Sequence, residues 1–157
     1  MPKTRANYSF YEFFAGGGMA RAGLGENWRC LFANDIDPKK ARVYADNWGG
    51  DTFRLADVND IEAAGLPGVP DLVWGSFPCQ DLSLAGDGAG LKGERSGAFW
   101  PFWWLDAKLV AEGRPPNIVV LENVCGALTS HGGKDFRTIA AAIEKTGYDF
   151  GALVIDA

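Results

Sequence analysis

Short apolar segments alternate with longer segments of helical character along nearly the whole chain, and glycines or polar residues follow most of the apolar segments. This alternation is typical of βαβ units, in which helices cover both faces of a mostly parallel sheet. A length of 157 residues suits one such domain. The pattern therefore predicts an α/β fold, with residues 1–157 as a single domain and no internal repeat or linker.

The same pattern predicts the bounds of the elements. Strands are expected at residues 8–14, 29–33, 52–55, 71–74, 117–121 and 148–155. Helices are expected up to about residue 24 after the first strand, and at residues 38–47, 58–64, 97–112 and 134–146. Asp37 suits an N-cap with Pro38 as the first helical residue, and Pro101 suits the first turn of its helix.

Five aromatic residues lie together at the start of the helix that begins near residue 97: Phe99, Trp100, Phe102, Trp103 and Trp104. Such a cluster could stack on nucleic-acid bases. At helical spacing, packing into the core is the favoured interpretation.

Charge and cysteine content narrow the functional classes. The net charge of −5 argues against a chain that binds nucleic acid by itself, because such proteins usually carry a basic face. Three cysteines without a CxxC pair and a single histidine argue against a disulfide framework and predict no metal site. There is neither a signal-peptide core nor an apolar run of about 18 residues. We therefore expect a cytoplasmic protein without a membrane segment.

The first predicted turn contains Gly16, Gly17 and Gly18, whose backbone amides could approach a ligand closely. Asp35 ends the second strand and is placed to accept hydrogen bonds from ribose hydroxyls, and Asp57 ends the third and could reach an adenine amino group. Together they indicate a nucleoside site. A dinucleotide fingerprint starting at Gly16 would need glycine where Arg21 stands, so a nicotinamide oxidoreductase is the weaker alternative.

The fourth and fifth predicted strands lead into two further groups at the same sheet edge. Phe77-Pro78-Cys79-Gln80 follows the fourth strand and Glu122-Asn123-Val124 follows the fifth. A loop thiol becomes a nucleophile when its pKa is lowered, and a carboxyl group on the neighbouring strand could act as its acid or hydrogen-bond partner. Taken alone, a single cysteine is more often a small buried apolar residue.

The combination resembles the DNA cytosine-5 methyltransferases from about Tyr8 to Ala157. Six ordered motifs carry the resemblance: residues 14–18, 34–37, 57–58, 77–80, 93–97 and 122–124. It implies a Rossmann-like S-adenosylmethionine-dependent methyltransferase sheet whose C-terminal part is truncated here. It also implies that S-adenosylmethionine, converted to S-adenosylhomocysteine, is held by Phe14, Ala15, Gly16, Gly17, Gly18, Asp35, Ile36, Asp57, Val58 and Phe77.

The resemblance further implies covalent catalysis on a cytosine that is flipped out of double-stranded DNA. Cys79 would add to C6 of the base, Glu122 would hydrogen-bond its N3 and N4 edge, and Pro78 would orient the cysteine loop. Implied DNA contacts are Gln80, Ser83, Lys92, Arg95 and Asn123. For Lys92 and Arg95, an ordinary solvated loop beside Asp87 and Glu94 is an equal alternative.

The chain departs from the family pattern at two residues and by the absence of two segments. Glu12 stands where aspartate is usual, and Met19 replaces the last glycine of the loop. The Gln-x-Arg motif and the target-recognition region of the family are also missing. We therefore expect the N-terminal catalytic part of a prokaryotic or phage enzyme, as in restriction-modification, that needs a second polypeptide for DNA recognition. The alternative is a cofactor-binding or partner-binding fragment without catalysis.

Overall fold

The computed structural model describes residues 7–78 and 98–156. The chain forms two compact units. The first contains Met1–Phe77 and Pro101–Glu122, and the second contains Pro78–Trp100 and Asn123–Ala157.

The first unit contains a sheet of five parallel strands in the order β3-β2-β1-β4-β5. Their bounds are β1 Tyr8–Phe13, β2 Trp28–Asp35, β3 Phe53–Leu55, β4 Leu72–Gly75 and β5 Ile118–Leu121. The strand order reverses between β1 and β4, the point at which open α/β sheets bind ligands beyond their carboxyl ends. The predicted α/β fold with a parallel sheet is confirmed.

Helices cover both faces of this sheet. On one face, α1 (Met19–Leu24) and α2 (Pro38–Trp48) lie over β1, β2 and β3, with the buried Tyr44 ring 4.7 Å from that of Phe53. On the other face, Phe102 of α3 (Phe99–Ala111) packs 5.1 Å from Phe13. Because both faces are covered, five of the six residues of β1 are buried.

The aromatic cluster of α3 packs mainly into the protein interior. Phe99, Phe102 and Trp103 are buried, whereas Trp104 is 43% exposed. The interpretation as core is confirmed for these three residues, since a buried ring offers no face to a nucleic-acid base.

Substituting Gly75 tests how tightly α3 packs on the sheet. A Cβ at Gly75 would lie 2.8 Å from Cζ of the buried Phe102 ring. We expect Gly75→Ala to lower the free energy of unfolding by about 1–3 kcal/mol, because overpacking forces the ring or the strand to move. Urea denaturation measures the loss. Gly23→Ala is the control, since a Cβ there would meet no atom within 4 Å, and equal effects of the two substitutions would contradict this packing.

From Asn123 onward, the described part of the second unit contains the helices α4 (Gly126–Thr129) and α5 (Lys134–Thr146), joined by a short 3-10 segment (Ser130–Gly133). Within this segment, Nδ1 of His131 lies 2.7 Å from the buried carboxylate of Asp135 in the first turn of α5. Phe150, after α5, packs its ring 6.3 Å from that of Phe136.

The prediction of a strand at residues 148–155 is wrong. Residues 148–156 have no regular secondary structure, and Leu153, Val154 and Ile155 are 87%, 67% and 77% exposed. Apolar and β-branched residues favour strands, but a strand forms only where a neighbouring strand accepts its backbone hydrogen bonds. None of the strand pairs among the described residues includes this segment.

The other predicted bounds of strands and helices agree with the structure to within two residues, apart from two elements. The helix expected at residues 58–64 is instead two single turns of 3-10 helix, Val58–Asp60 and Ala63–Gly65. The start expected for α3 near residue 97 lies outside the described residues, and α3 is described from Phe99. No helix in the described part of the chain is long and apolar enough to cross a membrane.

Candidate active site at the carboxyl edge of the sheet

The turn after β1 is held in place by its own backbone and by β2. Ala15 donates its N–H to Asn34 O at 2.8 Å, and Gly18 donates to Ala15 O at 2.8 Å. Gly16 and Gly18 have φ angles of +55° and +85°, which glycine adopts without steric cost. Phe14, which also has a positive φ of 56°, places its ring 6.0 Å from that of Phe102. The residues predicted to form the cofactor loop therefore form one compact turn.

Asp35 ties this glycine turn to the second strand. Its side chain is buried, with Oδ2 accepting the Gly16 N–H at 3.0 Å and Oδ1 accepting the Asp37 N–H at 3.0 Å. Nζ of Lys40 lies 3.7 Å from Oδ2. A carboxylate has about four lone-pair sites, so it can still accept hydrogen bonds from a ligand.

The other predicted adenosine contacts have mixed surroundings. The Ile36 side chain is 63% exposed and follows Asp35 directly. Asp57 caps the 3-10 turn that follows it, with Oδ1 accepting N–H groups from the backbone and side chain of Asn59 at 2.9 and 2.8 Å. Val58 is buried beside it. Asp57 therefore stabilises its own loop through Oδ1. The other carboxylate oxygen, Oδ2, is the one that could reach an adenine amino group.

The ends of β4 and β5 lie side by side, because Glu122 donates its backbone N–H to Gly75 O at 3.0 Å. The Glu122 side chain is exposed. Phe77 is buried after β4, and Pro78 is exposed. Asn123 accepts the Val124 N–H on its own Oδ1 at 2.9 Å.

Five predicted site residues, Cys79, Gln80, Ser83, Lys92 and Arg95, lie outside the described residues. Among the residues that the structure does describe, no three His, Cys, Asp or Glu side chains form a group that could hold a metal ion.

A cavity of about 460 Å³ opens beside the glycine turn, on the sheet face that carries α1. It is lined by Met19, Ala20, Gly23, Leu24, Trp74, Ser76 and Glu122. Met19 is 79% exposed at its edge, and Trp74 donates its indole N–H to Ser76 Oγ at 2.8 Å. The cavity therefore combines an apolar wall with one carboxyl group and one hydroxyl group.

Glu12 is a buried carboxyl group in the middle of this region. Its Oε1 accepts the Ala20 N–H at 3.1 Å, while Oε2 has no hydrogen-bond partner among the described residues. Burial raises the pKa of Glu12 to about 7, although hydrogen bonds from the backbone of Arg21 and Ala20 and the charge of Arg21 act in the opposite direction. Glu12 thus titrates close to neutral pH.

The raised pKa predicts a pH dependence of stability. The folded state favours the protonated form of Glu12. The stability that this protonated form contributes is therefore complete below the ordinary pKa of 4.5 and is lost as the pH rises to about 7. Glu12→Gln stays neutral and keeps an acceptor for Ala20. We expect the free energy of unfolding of the wild type to fall by about 1 kcal/mol per pH unit in this window, and that of the variant not to fall in this way. Urea denaturation between pH 5 and 7 measures it, with the exposed Glu26→Gln as control; parallel curves for wild type and Glu12→Gln would contradict the prediction.

Sequence reasoning missed two contributions to this region. The burial of Glu12 depends on α1 and β4, which are distant in sequence. Trp48 donates its indole N–H to Gly17 O at 3.0 Å across a separation of 31 residues. The sequence does carry one signal for the Trp48 contact: Tyr44 and Trp48 are four residues apart, which puts two aromatic rings on one face of the otherwise polar α2.

Comparison with known proteins adds to this geometry. Residues 8–157 match the model of the C-5 cytosine-specific DNA methylase family. The type II methyltransferase M.AluI of Cellulosimicrobium cellulans is 32% identical over 154 residues, which are 95% of this chain and 29% of that protein. The type II methyltransferase M.HaeII of Haemophilus aegyptius is 31% identical over 143 residues, which are 90% of this chain and 42% of that protein. The chain thus spans less than half the length of these relatives.

Solved structures show the same fold. The S. pombe Dnmt2 methyltransferase aligns with a TM-score of 0.71 at 20% identity, over 90% of this chain and 43% of that one. A TehB-like SAM-dependent methyltransferase from Corynebacterium glutamicum aligns with a TM-score of 0.58 at 14% identity, over 92% of this chain and 67% of that one. The match of the family model over residues 8–157 shows that this chain belongs to the C-5 cytosine-specific DNA methylase family.

Proposed function

We propose that this chain binds S-adenosylmethionine at the carboxyl edge of its sheet and methylates C5 of a cytosine in double-stranded DNA, together with a second polypeptide that recognises the target. The observation that carries the proposal is the hydrogen bond from Gly16 to Asp35, at the point where the strand order reverses. It places a glycine turn next to a carboxylate, in the position where nucleosides bind to such sheets.

The residues of the turn fit an adenosyl ligand. A Cβ at Gly16 would meet no atom within 4 Å, so the space in front of this residue is open. Asp35 can accept hydrogen bonds from ribose hydroxyls, and the exposed Ile36 provides an apolar surface for an adenine ring. Phe14, Ala15, Gly17, Gly18, Asp57, Val58 and Phe77 complete the proposed cofactor site.

S-adenosylmethionine supplies an electrophilic methyl group on a sulfonium. C5 of cytosine is a poor nucleophile, and we propose that the Cys79 thiolate activates it by forming a bond to C6. Glu122 would hydrogen-bond the N3 and N4 edge and favour protonation at N3, so that the ring accepts electron density from the thiolate. C5 would then attack the methyl group, and S-adenosylhomocysteine would leave with the electrons of the broken S–CH₃ bond. Loss of the C5 proton to a base or water would return the electrons that expel Cys79. Pro78 would hold the cysteine loop in orientation.

DNA enters this proposal as a flipped-out base, because C5 and C6 cannot be reached inside a stacked duplex. Gln80, Ser83, Lys92, Arg95 and Asn123 are the proposed DNA contacts. With a net charge of −5, the chain has too little positive charge to hold DNA strongly by itself. We therefore assign most of the phosphate and base contacts to the second polypeptide, which would also carry the Gln-x-Arg motif.

Two measurements test the function. Isothermal titration of the chain with S-adenosylmethionine tests cofactor binding. Covalent trapping on 5-fluorocytosine DNA, with and without a candidate partner, tests catalysis, because the fluorine cannot leave as a proton does. Binding together with trapping supports the methyltransferase. Binding without trapping in any mixture supports the alternative of a non-catalytic module, and preference for NAD over S-adenosylmethionine would contradict both.

A further inference from the structure

We infer that Trp48 is a positioning residue of the cofactor site: its indole N–H holds the Gly17–Gly18 peptide and thereby orients the neighbouring Gly16–Gly17 peptide toward the ligand. The inference rests on the proposed function, because it concerns S-adenosylmethionine binding at this turn. It assigns a role to α2, which contributes none of the residues proposed above to contact the cofactor.

Two peptide planes of the glycine turn are held at both ends. A peptide unit is planar, so its C=O and N–H orient together. In the Ala15–Gly16 peptide, the C=O accepts the Gly18 N–H and the N–H donates to Asp35. In the Gly17–Gly18 peptide, the N–H donates to Ala15 and the C=O accepts the Trp48 indole N–H at 3.0 Å.

The Gly16–Gly17 peptide lies between these two planes. Its C=O and N–H make no hydrogen bond with the described residues, and the space beside Gly16 is open. Because the planes on either side are fixed, this peptide is presented to the ligand in one orientation. Asp35 fixes it from one side and Trp48 from the other.

The Trp48 ring, 36% exposed at the end of α2, packs against side chains of α1 and α2 and against the glycine turn. The Arg21 guanidinium lies 5.0 Å from the Trp48 ring and 5.8 Å from the Tyr44 ring, and it donates a hydrogen bond to Tyr44 Oη at 3.0 Å. A Cβ at Gly18 would come within 2.7 Å of Trp48 Cδ1, so the indole packs directly against the turn. This packing keeps the indole N–H aimed at Gly17.

The test is Trp48→Phe, which keeps an aromatic ring under Gly18 and removes the N–H donor. Without the donor, only the bond from the Gly18 N–H to Ala15 O holds the Gly17–Gly18 plane, and the Gly16–Gly17 peptide is oriented less firmly. We expect the dissociation constants for S-adenosylmethionine and S-adenosylhomocysteine to rise about three- to tenfold, as for the loss of one neutral hydrogen bond. The melting temperature should change no more than in the control.

The matched control is Trp28→Phe, the same change at a tryptophan that stacks on Tyr8 at the start of β2, with ring centroids 5.0 Å apart. It should leave both dissociation constants unchanged. Trp48→Tyr is a second variant. Its ring also fills the space, but its hydroxyl does not occupy the position of the wild-type indole N–H. It should therefore weaken binding as Trp48→Phe does.

The outcomes separate this inference from the proposed function. If the wild-type chain binds S-adenosylmethionine and both Trp48 variants bind it equally well, the inference is overturned and the proposed function stands. A loss in Trp28→Phe as large as in Trp48→Phe also overturns it, because the effect would then be structural. No binding by the wild-type chain would contradict the proposed cofactor and the inference together.

Discussion

Replacing Cys79 by serine should abolish methyl transfer to DNA. A serine hydroxyl is a far weaker nucleophile than a cysteine thiolate at neutral pH, so the addition to C6 would not occur at a useful rate. We expect a loss of roughly a thousandfold or more in transfer of a tritiated methyl group. The trapped adduct with 5-fluorocytosine DNA should disappear in the same variant, while S-adenosylmethionine binding stays intact.

Cys125→Ser is the matched control, because Cys125 is an exposed free thiol that has no role in the proposed chemistry. It should leave methyl transfer and trapping unchanged. Unchanged transfer by Cys79→Ser, measured under conditions in which the wild type is active, would refute covalent catalysis by this residue. Loss of activity in both variants would point to an unspecific effect of removing thiols.

Replacing Asp35 by asparagine should weaken cofactor binding about a hundredfold, since hydrogen bonds to a buried charged group contribute about 1.5–3 kcal/mol and more than one is affected. The two carboxylate oxygens accept the N–H groups of Gly16 and Asp37. An amide has only one oxygen, so its NH₂ group would face one of these donors. The glycine turn or the start of α2 would then shift, and a proposed ribose contact would be lost.

The control for this prediction is Asp37→Asn. Asp37 caps α2 by accepting the Lys39 N–H at 2.7 Å in an exposed position, and asparagine caps helices about as well as aspartate. Calorimetric titration with S-adenosylmethionine compares the two variants. Comparable affinities of Asp35→Asn and wild type would contradict a role for Asp35 in the site.

Much of the fold was predictable because it depends on local signals. The alternation of apolar segments with helical segments located all five strands of the sheet, and the Asp37-Pro38 pair located the start of α2. The glycine turn was predictable for the same reason, since positive φ angles restrict the choice of residue. The order of the motifs then identified the family, which the family comparison confirms.

The rest depends on contacts between distant parts of the chain. Residues 148–155 have the composition of a strand, but pairing decides whether a strand forms. Asp35 stays a predicted ribose ligand, whereas its hydrogen bonds to Gly16 and Asp37 depend on how the turn folds back onto β2. For the aromatic residues of α3, the sequence favoured core packing over a stacking surface, and burial confirms it for Phe99, Phe102 and Trp103.

The sequence by itself determined the five strands of the sheet, their parallel arrangement and the family, because periodicity, turn residues and motif spacing are properties of short chain segments. Only the tertiary structure decided that Glu12 is buried with a pKa near neutrality and that Trp48 holds Gly17 from another helix. Desolvation and hydrogen-bond geometry depend on which distant residues surround a group. For that reason the pKa of Glu12 and the orientation of the glycine turn follow from the folded structure and not from the sequence.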